Sequence, residues 1–187
     1  MIEMTQRGVV PVEAFRSLDG LAVLRRMLAG ELPAPPIADV LPFALVEVAE
    51  GRAVFEGRPD ARLYNPMGAV HGGFAMTLLD SAMTCAVMTT LAAGEGCTTV
   101  ETKVNFVRPL MPSTGPVRAE GRLVHAGARV ATAEGRLVDA AGRLYAHGTS
   151  TCLRFPLTPP AGAEVSPTPR RAFTPSVGRE PTPEIAK

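Results

Sequence analysis

The sequence predicts an α+β domain: a curved antiparallel sheet packed against one long buried helix, with an extra helix at the N-terminus. Three observations predict it. Beyond residue 40, segments of alternating apolar and polar residues recur with short turn signals between them. One stretch, from Gly72 to about Ala92, is apolar nearly all round. Strand-like segments also outnumber helical ones, as they do when a single helix covers a sheet.

Composition narrows the class. A chain of 187 residues, 46% of them hydrophobic, has the size of one domain with a real core. A net charge of +1 excludes the basic footprint of a nucleic-acid binder, and the lack of Trp argues against a base-stacking platform. Cys85, Cys97 and Cys152 are scattered, odd in number and form no C-x-x-C pair. With no basic-then-apolar leader, they point to reduced thiols in a cytoplasmic protein, without a zinc site.

The elements follow in order. Phe15, Leu18, Leu21, Leu24 and Leu28 recur at the helical period, so one helix is expected from about Val12 to Leu28, stopping at Gly30. "LPAPP", Leu32 to Pro36, is a stiff connector, followed by a helical turn around Ile37 to Val40. "ALVEVAE" and "RAVFEGR" flank Gly51 as a hairpin. Residues 60–70 are turn-rich, and the apolar segment then ends at Gly94 to Cys97. "TTVETKVNFVRPL" reads as a strand alternating on Val100, Val104 and Phe106. "GPVRAEGRLVHAG", "ARVATAEGRLVDAAG" and "RLYAHGTSTCLRF" read as a three-stranded antiparallel meander, with Val117, Ala119, Gly121 and Leu123 on one face of the first. From Pro156 to Lys187 there are eight prolines in 32 residues and little apolar periodicity, the composition of a disordered tail. The expected division is an N-terminal helical extension at 1–40, a folded domain at 41–155 and a tail at 156–187.

Within "NPMGAVHGGFAMTLLD", Asn65 to Asp80, one carboxylate stands inside the most hydrophobic stretch. The 22 residues from Gly72 to Ala93 are long enough to span a bilayer, but Asp80, the Thr and Ser content, and the absence of flanking anchors argue for a core helix. A buried Asp needs partners or its pKa rises. Thr77 and Thr84, its neighbours on the helix, are the expected hydrogen-bond donors, and a purely structural acid paired to them is the plain alternative. Gly72 and Gly73 open the helix where amides lack intrahelical acceptors, a place suited to holding an oxyanion. Gly72 and Asp80 lie about 12 Å apart along the axis, whereas reacting groups meet at roughly 3–3.5 Å. If both act on one substrate, the Asp comes from a second chain across a two-fold axis.

These residues resemble a family. Asn65, His71-Gly72-Gly73, Asp80 and Arg108-Pro109 together are similar to the signature of hotdog-fold acyl-CoA thioesterases of the phenylacetate-pathway type, over roughly Leu41 to Phe155. The resemblance implies a sheet wrapped around a central helix, homodimers and often homotetramers. It also implies hydrolysis of an acyl- or aryl-CoA thioester to free acid and coenzyme A, with no cofactor beyond the coenzyme A of the substrate. It implies that Gly72 donates its N–H to the thioester oxygen and that Asn65 orients the thioester or the water. Asp80 of the partner chain would be general base or nucleophile, Thr99 or Thr98 would assist, and His71 would shape the oxyanion turn. Gly73, Met76 and Thr84 are further candidates to touch substrate, and Arg108 and Arg129 to bind coenzyme A phosphates. No membrane or nucleic-acid partner is expected. Cys85, five residues past Asp80, reads as a core residue. The competing function is a non-catalytic acyl-CoA-binding or sensing hotdog module.

Overall fold

The computed structural model describes residues 6–157, so the expectation of a disordered tail falls, from residue 158 on, outside the described residues. Three helices lead in: α1 (Val12–Ser17), α2 (Gly20–Leu28) and the single turn α3 (Ile37–Val40). The expected helix from Val12 to Leu28 is thus two helices. Asp19 breaks it in an extended conformation and caps α2, its Oδ1 accepting from the Ala22 N–H at 2.7 Å. Gly20, which begins α2, is packed so tightly that a methyl there would lie 1.9 Å from the Met88 carbonyl oxygen.

The hairpin β1 (Phe43–Ala49) and β2 (Arg52–Gly57) turns at Gly51, whose φ of 68° suits glycine. The central helix α4 (Gly72–Met88) then crosses to β3 (Glu95–Phe106), and β4 (Val117–Ala126), β5 (Val130–Asp139) and β6 (Leu144–Pro156) follow as the expected meander. The six strands form one antiparallel sheet in the order β1-β2-β4-β5-β6-β3. Leaving β2 and returning at β3 takes the chain across most of the sheet, and α4 makes that crossing on its concave face. Helix α4 is four residues shorter than its apolar run. Thr89 and Thr90 donate their hydroxyls to the carbonyls of Ala86 and Val87, at 2.7 and 2.8 Å, and the chain turns away.

The core lies between α4 and the sheet. Phe74, Leu78, Leu79, Ala82, Met83, Ala86 and Val87 are buried against Val117, Ala119, Ala131, Ala133 and Leu137. Gly121, Gly135 and Gly148 are paired side by side across β4, β5 and β6. A methyl on Gly121 would sit 2.2 Å from the carbonyl oxygen of Ala82, so the helix backbone rests directly on that strand. Among the described residues no helix is long and apolar enough to cross a membrane.

β3 carries the departure that matters most for the site. Pairing with β6 skips a residue between Thr99 and Glu101. Val100 is the extra residue of this bulge and is 60% exposed, contrary to the alternation that placed it with Val104 and Phe106. The bulge resets the faces. Thr99 pairs with Cys152 and Thr102 with Ser150, both inward-facing and buried, so Thr99 and Thr102 both point at α4.

Candidate active site

Asp80 projects from the middle of α4 toward β3 and is half-buried. Its Oδ1 accepts from the hydroxyls of Thr99 and Thr102, each at 3.0 Å. The donors therefore come from the sheet and not from the helix. Thr77 instead donates to the Gly73 carbonyl at 2.9 Å, and Thr84 lies 2.8 Å from the Thr99 hydroxyl. Each hydroxyl carries one proton, so with Thr99 donating to Asp80, Thr84 donates to Thr99. Ser150 stands behind Thr102 at 3.2 Å. Oδ2 has no protein partner among the described residues and remains open. Thr102 was missed by sequence reasoning, because strict alternation from Thr99 selects Glu101; only the bulge brings Thr102 round.

This hydroxyl chain fixes the carboxylate so that one oxygen is held and the other presented. Thr102→Val removes a charge-assisted hydrogen bond worth about 1.5–3 kcal/mol. In any reaction that uses the open oxygen of Asp80, we expect kcat to fall roughly tenfold with KM nearly unchanged, and Thr102→Ser to recover most of it. A change in KM alone would show that Thr102 has no part in orienting Asp80.

The other cluster surrounds the start of α4. His71 is the N-cap residue, its Nδ1 accepting from the Gly73 N–H at 2.9 Å. That bond uses the Gly73 amide and closes the turn into α4. The Gly72 N–H makes no hydrogen bond among the described residues, so it is the amide left for a ligand, at the positive end of the helix dipole. The Phe106 ring is packed 3.1 Å from where a Gly72 side chain would begin. The Asn65 Oδ1 accepts from the N–H groups of Met67 and Ala69 at 2.9 and 3.2 Å, which closes the loop. Its Nδ2 has no protein acceptor among the described residues. Arg108 holds the Leu144 carbonyl at 2.6 Å and lies 5.8 Å from the centre of the Tyr145 ring.

Two cavities separate these groups. Asn65, Gly72, Phe106, Arg108 and Tyr145 line one of about 240 Å³. Asp80 and Thr84 line another of about 790 Å³, together with Cys85 and residues of α2, α3 and β1. Of the remaining candidates, Thr98 pairs with Leu153 and points away from Asp80, so that of the two threonines it is Thr99 that meets the carboxylate. Met76 is 40% exposed and lines neither cavity; Arg129 sits in the β4–β5 turn and lines neither. Burial pushes the Cys85 thiol up to about 12, which leaves it protonated and a poor nucleophile. All three cysteines are free.

The chain matches the model of the thioesterase superfamily over residues 67–146. Among solved structures, a phenylacetic acid degradation-related protein from Ralstonia eutropha is 32% identical, with a TM-score of 0.63, over 69% of this chain and 97% of that one. A mutant of the phenylacetic acid degradation protein PaaI from Thermus thermophilus is 30% identical, with a TM-score of 0.58, over 64% and 99%. AziG from S. sahachiroi is 27% identical, with a TM-score of 0.62, over 65% and 98%. No curated protein matches the chain.

Proposed function

From the premise that this chain belongs to the thioesterase superfamily, we propose that it hydrolyses acyl- or aryl-CoA thioesters in sites completed between two copies of itself. One observation carries the reading: Gly72 and Asp80 stand on the same helix, yet Asn65 and Gly72 open into one cavity and Asp80 into the other. Neither cavity holds a complete apparatus. A thioester lying between Gly72 of one copy and Asp80 of the other would have both.

The edge of the sheet supports such a pairing. β3 is twelve residues long and has β6 on one side only, which leaves a row of backbone donors and acceptors for a second chain. Two β3 strands related by a two-fold axis would set the α4 helices side by side, running antiparallel. Met76, Thr77, Asp80 and Thr84, the stripe of α4 that the sheet leaves least covered, would lie along that seam.

In the reaction the Gly72 N–H and the Asn65 Nδ2 donate to the thioester carbonyl oxygen as it gains negative charge. The Oδ2 of Asp80 from the partner copy either takes a proton from the attacking water or attacks the carbonyl carbon itself. In the first route the water oxygen adds to the carbonyl carbon and the C–S bond breaks. In the second the C–S bond breaks to leave a mixed anhydride on Asp80, which water then hydrolyses. In both, one proton of the water ends on the departing thiolate and the acyl group ends as a carboxylic acid. His71 keeps the Gly72 amide aimed, and Arg108, on the Asn65 side, is placed to meet phosphates of coenzyme A.

The atoms of Asn65 sharpen the test. Asn65→Asp keeps the Oδ1 that closes the loop but replaces the donor with a negative oxygen. We expect kcat/KM to fall about 100–1,000-fold while the melting temperature stays near wild type. Release of free thiol from a panel of acyl-CoAs measures it. Full activity in Asn65→Asp would remove Asn65 from the oxyanion site, and no thiol release by the wild type from any member would favour a binding module.

A further inference from the structure

We propose that the N-terminal segment, with α2 and α3, is the specificity-determining wall of this site: it roofs the cavity of about 790 Å³ beside Asp80 and sets the length of neutral acyl tail that fits. The inference rests on the thioesterase reading and names what limits the tail at the same site.

The cavity has two kinds of wall. Its floor is the polar stripe of α4, with Asp80 and Thr84. Its roof and sides are apolar: Leu24 and Met27 of α2, Ile37 and Ala38 of α3, and Phe43 and Phe55 of the first hairpin. A carbonyl placed at Asp80 would therefore extend its acyl tail beneath α2 and α3. The coenzyme A end cannot take that direction. Among the described lining residues the only cation is Arg7, whose Nε is already paired with Asp39 Oδ1 at 2.8 Å. Polyanionic groups would have to desolvate there without a counter-charge, whereas Arg108 stands exposed beside the other cavity.

The roof is fastened to its surroundings along its length. The Gly8 N–H donates to Ala34 O at 3.0 Å and the Ala34 N–H to Gln6 O at 2.8 Å, which ties the first described residues to the connector. Gly20 donates to Leu91 O at 3.0 Å, and Gly94 to Phe15 O at 2.8 Å, which ties α1 and α2 to the end of the central helix. Such a wall is in place before the substrate arrives, so the fit of the tail is set by fixed side chains. The volume lies within the roughly 300–1,000 Å³ usual for small-molecule sites. An acetyl group would leave most of it unfilled. Each methylene that reaches the apolar wall should raise kcat/KM roughly fourfold until the pocket is full. A tail ending in a carboxylate would run along this apolar wall, where Arg7, the one cation among the described lining residues, is already paired with Asp39.

The test is a chain-length profile on the full protein: acetyl-, butyryl-, hexanoyl-, octanoyl-, decanoyl-, phenylacetyl- and succinyl-CoA. Wild type should rise from acetyl to an optimum at a longer neutral tail and fall beyond it, with succinyl at least about tenfold below butyryl. Ala38→Phe fills the roof and should move the optimum to shorter tails, costing decanoyl-CoA more than acetyl-CoA. Met27→Ala widens the same wall and should move it to bulkier tails; either variant decides if the other does not fold. A profile that neither variant moves would overturn the assignment, as would equal use of succinyl-CoA. Should no substrate be hydrolysed, the same tails as non-hydrolysable thioethers of coenzyme A separate the two claims. A chain-length-dependent rise in melting temperature that the variants shift would uphold the pocket and discard the hydrolase; no dependence would discard the pocket.

Discussion

Asp80→Asn should lower kcat for thioester hydrolysis about a thousandfold while leaving the protein folded. Asn has nearly the shape of Asp, and its carbonyl oxygen can still accept from Thr99 and Thr102, each 3.0 Å from Oδ1 in the native protein. What it loses is the open oxygen, replaced by an amide that neither takes a proton nor attacks a carbonyl. General-base catalysis contributes about 10²–10⁴-fold and nucleophilic catalysis is lost outright. A thousandfold loss is about 4 kcal/mol of transition-state stabilisation. Because the oxyanion donors are untouched, KM should change little. Full activity in this variant would remove Asp80 from the chemistry and leave it a structural acid held by two threonines.

Gly121→Ala should be the most destabilising single methyl in the sheet. Its Cβ would lie 2.2 Å from the Ala82 carbonyl oxygen and 2.6 Å from the Met83 nitrogen. Both are backbone atoms in the middle of α4, so relief requires the helix to lift off β4. A cost of about 3 kcal/mol, at the upper end for overpacking, is expected. For a chain of this size that lowers the melting temperature by roughly 6–12 °C. Gly135→Ala is the control. There the nearest atoms are side-chain carbons of Met83 and Leu79 at 3.0 and 3.1 Å, which can shift, and about 1 kcal/mol should suffice. Equal melting temperatures for the two variants would mean that α4 does not rest on β4 as described.

The order of elements was legible in the sequence because its signals are local. Alternation marked the strands, Gly51 marked the hairpin turn, and the apolar run marked the helix on which the sheet closes. The core motif was legible too, since Asn65, His71, Gly72 and Asp80 lie within one short segment whose spacing survives folding. What could not be read depends on contacts between distant segments. The bulge at Val100 arises from pairing with β6, and only that pairing brings Thr102 to Asp80. The break at Asp19 follows from the seat of Gly20 on the end of α4, some seventy residues away in sequence. The glycine lane of Gly121, Gly135 and Gly148 exists only once three strands are in register. The large cavity likewise needs α2, α3, β1 and α4 assembled before it has a wall.

The central claim is that each site takes Asp80 from one copy and Asn65 with Gly72 from the other. Mixed oligomers of Asp80→Asn and Asn65→Asp chains test it most directly. Each variant alone should be nearly inactive. Unfolded together and refolded at equal ratio, half of the dimers would carry one of each chain, and each of these would contain one intact site and one doubly impaired site. A shared site predicts recovery to about a quarter of wild-type thiol release per chain. Activity that stays at the mean of the two variants, in a mixture shown to contain heterodimers, would contradict it and place both halves of the chemistry within one chain.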